Sequence, residues 1–337
     1  MLARFLGGAL FAVSAMAAPA FDDAANAGNR MPRLYSLLAS LHGEPILERY
    51  FHGARAGGYA NVKSASKSVI SALVGIAIDR KLLPGVDAPI APYFPELAAA
   101  GADPHKRAIT VEDLLTMRSG LVETNRGYGA WVRSPNWVHY LLARPMRGPP
   151  GEAMNYNTGN THLLSALLTK VSGSDTWTFA QNVLARPLGI SLPQWPRDPQ
   201  GIYFGGNDML LTPRQMLRFG ELYLNRGRLG EVQIVPAAWV AQSFVPRARS
   251  PISGQQYGYG WWIAEMAGRE TDFAWGFGGQ YIFIVPSLDL VVVTTSSVAL
   301  GDDRREHRKA LFDMVENQIV GVVANRAVSD VGALTAR

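Results

Sequence analysis

Three groups of residues in this chain have the types and spacing to move protons and make covalent bonds. The first is Ser64-Ala65-Ser66-Lys67, the polar head of an apolar run that continues to Ile78. Residues three apart share a helix face, so Ser64 and Lys67 can touch within one turn. A hydroxyl becomes a nucleophile when a base sits beside it, and a desolvated lysine with a lowered pKa can be that base. Free backbone N–H groups and the positive end of the helix dipole lie at the same place. Read alone, the spacing also fits a Ser-capped helix start with a solvated lysine. Lys67, however, is the only one of the six lysines with a Ser three positions before it. Its helix is apolar on almost every side, which leaves the ammonium few routes to water.

The second group is Met154-Asn155-Tyr156-Asn157-Thr158-Gly159-Asn160, a Gly-containing turn just before an apolar helix. A phenol at Tyr156, if near Lys67, can relay a proton between the Ser64 oxygen and a leaving group. The plainer reading is an aromatic anchor in a helix-capping turn. The third group is Ala274-Trp275-Gly276-Phe277-Gly278-Gly279-Gln280, which enters an apolar strand. Glycines there let a substrate lie close to the backbone, whose N–H groups can bind an oxyanion, or they serve a tight turn and nothing more.

The elements that must position these groups follow from periodicity. Strand-like runs at 34–41 and 45–51 join at His42-Gly43 as a hairpin, and 281–285 and 288–295 form a second one about Pro286-Ser287. An aromatic strand is expected at 257–263, and a Gly-rich turn over 273–280. Helices are expected over 61–80, from Thr110 with Asp113 as a capping box, over 160–171, 177–188 and 214–225, and as a closing amphipathic helix over 305–323. Segment 22–29 reads as a loose lead-in. Strands at both ends and helices between them predict an α+β protein with an antiparallel sheet. Helices 61–80 and 305–323 would cover the sheet faces. The expected organisation is an α/β lobe from 30–80 and 200–325, a helical lobe over 81–199 inserted between them, and a tail at 326–337.

Composition narrows the function classes. With 337 residues, 48% of them hydrophobic, the chain can bury an ample core. Residues 1–18 read as a secretory signal peptide: Arg4, a short apolar stretch, and Ala15-Met16-Ala17 as the cleavage site. That predicts an exported protein, periplasmic or secreted, with no integral membrane segment once the signal is removed. The absence of Cys excludes disulfides and a thiol nucleophile. A net charge of +5 with scattered basic residues gives no nucleic-acid footprint. The six histidines show no His-x-x-x-His pair, so neither a metal nor a cofactor is expected. His162 is a candidate cleft residue because it follows the Tyr156 turn. A Ser–His–Asp triad has no Gly-x-Ser-x-Gly elbow to sit on.

Together the three groups resemble the serine β-lactamase and penicillin-binding-protein superfamily, in particular its class C-like branch of family VIII carboxylesterases and 6-aminohexanoate-dimer hydrolases. The resemblance spans about 34–323 and includes the phrases at 110–121, 207–220, 257–262 and 278–286. It implies a β-lactamase/transpeptidase-like fold, with Ser64 as the acylated nucleophile, Lys67 as its base and Tyr156 as the proton shuttle. The oxyanion would be held by the backbone N–H groups of Ser64 and of Phe277, the residue after Gly276. Thr158 and Asn160 would contact substrate in the cleft. Two departures weaken a β-lactamase or D-Ala-D-Ala-peptidase reading. Ala274-Trp275-Gly276 stands where the family has Lys-Thr-Gly, and Tyr156-Asn157-Thr158 where it has Tyr-x-Asn. The expectation is therefore a serine hydrolase of small esters or amides. A peptidase or β-lactamase, and an idle binding protein on the same scaffold, are the alternatives.

Overall fold

The computed structural model describes residues 21–98 and 103–326; the expected signal segment 1–18 and the tail from 327 onward lie outside the described residues. The strands are β1 (Leu34–Leu41), β2 (Glu44–Tyr50), β3 (Ala60–Asn61), β4 (Leu210–Leu211), β5 (Arg228–Leu229), β6 (Val232–Gln233), β7 (Ala248–Arg249), β8 (Gln256–Tyr257), β9 (Trp262–Met266), β10 (Arg269–Gly276), β11 (Gln280–Val285) and β12 (Leu290–Ser296). Eight of them form one antiparallel sheet in the order β2-β1-β12-β11-β10-β9-β8-β7. The two terminal hairpins thus share one sheet, with β1 against β12. The principal helices are α1 (Asp22–Asn29), α2 (Ser66–Asp79), α3 (Val111–Leu115), α4 (Thr158–Ser172), α5 (Pro213–Leu224), α6 (Ala237–Ser243) and α7 (Arg304–Val315).

Both faces of the central strands are covered, which is why β11 and β12 are buried at every position and read as unbroken apolar runs. Tyr281, Phe283, Leu290 and Val292 face Leu311, Met314 and Val315 of α7, together with Phe21 and Ala24 at α1. Ile282, Ile284, Val291 and Val293 join α2 and α5 in the larger core. A Cβ at Gly220 of α5 would run into Val291 and Ile282, so this helix lies directly on the sheet. The closing helix covers its face as periodicity predicts. The opposite face is shared, with α5 over β11 and β12 and α2 toward β10. Between β3 and β4 the described chain has helices and loops, and no strand beyond isolated bridges.

Three local expectations are corrected. Segment 22–29 is a helix, not a loose lead-in; its buried face is only Ala24 and Gly28, and the Phe51 ring occupies the space a side chain at Gly28 would need. Its apolar residues are only Ala and Gly, so the segment shows no large side chain that would mark a core-facing stripe. The aromatic strand at 257–263 is broken, because Gly260 takes φ +81 and its backbone approaches Lys67 and Ser71 of α2. Ser68 Oγ donates to the Gly260 carbonyl at 2.7 Å. Finally, β10 begins at Arg269 and runs to Gly276, through residues where a turn is expected; only Phe277, Gly278 and Gly279 turn.

Candidate active site

The segment before α2 is pinned on both sides. β3 pairs with β4, and the Val62 N–H donates to the Met209 carbonyl at 2.9 Å. Lys63 to Ala65 then form a single 3-10 turn that runs into α2. Ser64 sits in that turn, half-buried. Lys63 adopts φ +50, a left-handed conformation that costs a non-glycine residue about 1 kcal/mol or more. The Asn61 Oδ1 accepts its backbone N–H at 3.0 Å, and its ammonium reaches Asp208 Oδ1 at 2.7 Å.

One helical turn on, Lys67 is 1% exposed. Its ammonium donates to Ser64 Oγ at 3.0 Å, to the Gly206 carbonyl at 2.6 Å and to Thr158 Oγ1 at 3.4 Å. Burial drives its pKa down to about 7, while the negative charge of Asp208 works against the fall. Desolvation penalises the charged form, so a substantial neutral fraction exists at physiological pH.

The Tyr156 ring lies beneath the same ammonium, with Nζ 5.1 Å from its centroid. Burial pushes its phenol up to about 12, and the hydrogen-bonding influence of the Ser64 side chain opposes the rise. The ring stacks on Trp262 at 5.6 Å, and Trp262 in turn packs against Tyr257 and Trp275. A protonated phenol and a largely deprotonatable amine therefore flank one hydroxyl. Asn157 holds the Tyr156 turn: its Oδ1 caps α4 by accepting the Gly159 N–H at 3.0 Å and also accepts from Thr124 Oγ1 at 3.0 Å.

At the far side, the end of β10 abuts the Ser64 turn. A Cβ at Gly276 would run into the Val62 carbonyl, so only glycine allows this approach. Gly278 and Gly279 turn with φ +91 and +115. Phe277 is 37% exposed, and the Arg304 guanidinium lies 4.9 Å from its ring centroid. The structure thus brings Ser64, Lys67, Tyr156, Thr158 and the Gly276-Phe277 turn together.

It does not bring Asn160 or His162 to the cleft. Asn160 is fully buried in α4, with its Oδ1 accepting from Ser119 Oγ at 2.9 Å. His162 is fully buried on Asp198 at 3.1 Å, packed among Trp131, Trp137 and Phe204. Sequence reasoning did not identify the Gly206 carbonyl or Asp208. The signal for them was the Gly205-Gly206 pair, where a Cβ at either position would run into Thr161. Among the described residues, no group of three or more His, Asp or Glu side chains is arranged to hold a metal ion, and no helix is long and apolar enough to cross a membrane.

The profile of the beta-lactamase family matches residues 35–315. The chain belongs to the beta-lactamase family. Its sequence is 23% identical, over 297 residues, to the 6-aminohexanoate-dimer hydrolase of Paenarthrobacter ureafaciens, covering 79% of this chain and 74% of that one. Among solved structures, EstCE1, a hydrolase with promiscuous acyltransferase activity, superposes with a TM-score of 0.68 at 19% identity, covering 88% of this chain and 97% of that one. A penicillin-binding protein homologue from Caulobacter crescentus gives 0.68 at 18% identity, with 89% and 98% covered. This beta-lactamase-family chain is a hydrolase, and the antiparallel sheet with its helices is the fold of that family.

Proposed function

We propose that this chain hydrolyses small esters or amides through an acyl-enzyme on Ser64. The observation that carries the reading is the buried Lys67 ammonium, 3.0 Å from Ser64 Oγ with a pKa near 7. Neutral Lys67 accepts the Ser64 proton as Oγ bonds to the substrate carbonyl carbon. The carbonyl π pair moves to oxygen, and the developing charge is held by the N–H groups of Ser64 and Phe277. Tyr156, protonated at neutral pH, passes a proton to the leaving alcohol or amine as its bond to carbon breaks. Its phenol is replenished from the Lys67 ammonium. Water attacks the acyl-enzyme by the reverse proton path and restores Ser64.

Ala274 at the start of the third group argues against a carboxylate grip of the kind β-lactams and cell-wall peptides need. The Paenarthrobacter relative is named for a dimer of an amino acid, whose amine and carboxyl groups can join as an amide, which favours small amides beside esters. The leader-like segment 1–18 supports an exported enzyme; cell fractionation with N-terminal sequencing should find mature protein outside the cytoplasm, and full-length protein confined to the cytoplasm would refute export. The reaction is tested with p-nitrophenyl acetate and butyrate. A burst of about one nitrophenolate per enzyme, lost together with turnover in Ser64→Ala, is expected. Unchanged turnover in that variant refutes the proposal. Labelled penicillin that modifies Ser64 stably would favour the penicillin-binding alternative.

A further inference from the structure

Asp208 lies outside the proton path just described, yet it is the hub of the contacts around it. Its Oδ1 accepts from Lys63 Nζ at 2.7 Å and from Asn61 Nδ2 at 2.8 Å. Asn61 and Lys63 lead directly into the nucleophile turn. Two residues before Asp208, the Gly206 carbonyl accepts the Lys67 ammonium at 2.6 Å. Immediately after it, the Met209 carbonyl accepts from Val62, and β4 pairs with β3. Asp208 itself takes φ +64, so two left-handed non-glycine residues, Lys63 and Asp208, face each other across this one contact. Strain at both ends persists only where surrounding contacts over-determine it. The pair is 22% and 21% exposed, too open to contribute much to global stability.

We propose that Asp208 is a positioning residue for Lys67: tied to Lys63 and Asn61, it holds the Gly206 carbonyl on the ammonium, and with Lys63 it sets the charge that Lys67 experiences. This inference rests on the reading of Lys67 as the base. The polar groups facing Lys67 are the Ser64 hydroxyl on its own helical turn, the Tyr156 phenol and Thr158 hydroxyl beside α4, and Asp208, with Lys63 behind it. Tyr257 stands behind Tyr156, and the 258–260 turn approaches with backbone. Asp208 is the one anion in that set and Lys63 its counter-ion. Removing one charge should therefore move Lys67 in the opposite direction from removing the other. A merely structural brace would not give opposite signs.

The test is a titration of Lys67 itself. With 13C-labelled lysine, six side-chain resonances are followed by NMR against pH, the Lys67 signal being the one absent from Lys67→Arg. In Asp208→Asn the Lys67 midpoint should fall by about half a unit or more; in Lys63→Met it should rise by a similar amount. Asp208→Glu should return it toward the native value. Midpoints that stay put, or that move the same way in both variants, overturn the proposal. The acid limb of kcat/KM, measured on the same variants, separates the two claims. If the NMR midpoints diverge while the limb does not follow, Asp208 still positions Lys67 but Lys67 is not the base.

Discussion

Lys67 owes its chemistry to where it is buried. An ammonium in water titrates far above neutrality; this one is sealed by α2, α4 and the Gly206 backbone, and burial brings it down to about 7. As the proposed base, Lys67 must be neutral to act, so kcat/KM should rise with pH through about 7. Tyr156 loses its proton only near 12, so no fall should follow up to about pH 10. A measured bell with an alkaline limb near 8 or 9 would contradict these assignments. In the proposed mechanism, Tyr156→Phe removes the proton donor to the leaving group. Because p-nitrophenolate leaves without a proton, this variant should lose about a hundredfold more kcat/KM, which reports acylation alone, on an amide or alkyl ester than on a p-nitrophenyl ester. Equal losses on both would rule out that role. The contact of Ser64 with Lys67 was legible because the two stand three apart at a helix start, and the nearness of Tyr156 to Lys67 followed from the resemblance. The Gly206 carbonyl was not, since every residue has one. Asn160 was misplaced for a related reason: the sequence shows an amide near the site but not that Ser119 engages it in the helix packing.

The site is a meeting of element ends: the turn before α2, the turn before α4, and the end of β10. Gly276 permits the last of these. Gly276→Ala should push β10 away from Val62, lowering kcat/KM at least tenfold, well beyond what its loss of thermal stability explains; a variant as active as the parent would show the contact to be slack. Asn157→Ala removes the α4 cap and the Thr124 bonds together. It should cost about 1–2 kcal/mol, read as a lower midpoint in urea, and an unchanged midpoint would contradict the cap. The hairpins were readable because turn residues separate short strand-like runs, and the capping box because Thr110 and Asp113 stand three apart before an apolar run. The start of β10 was hidden, because Arg269, Glu270 and Asp272 look polar and the three glycines draw the eye to a turn. The break at Gly260 was hidden as well: it is imposed by α2, a tertiary neighbour that local sequence does not report.

For the molecule as a whole, the sheet is a slab with both faces covered, and one carboxyl is trapped in it. Asp272 on β10 is fully buried, and neither of its oxygens has a hydrogen-bond partner among the described residues. Burial raises it to about 8, helped by the charge of Glu270. A carboxyl whose folded pKa exceeds its unfolded one binds more protons in the folded state. Stability is therefore lost as pH climbs from about 4 to about 8, by up to about 1.4 kcal/mol per unit, and levels off above. Asp272→Asn removes this slope, so its melting temperature relative to the parent should be higher at pH 8 than at pH 5. A constant difference would mean the carboxyl is solvated. The antiparallel sheet with a helical middle was legible as a whole because short apolar, turn-bounded runs sit at both ends of the described chain and runs of helical period between them. The identity of the helix on the inner face was not, since α2 and α5 are both apolar enough to lie there.

The central claim is a covalent one, so the most direct measurement is mass spectrometry of enzyme quenched during turnover of p-nitrophenyl butyrate. One butyryl group is expected on the peptide that carries Ser64, absent from Ser64→Ala and long-lived in Tyr156→Phe. Turnover with Ser64 unmodified, or with the acyl group on another residue, would contradict it.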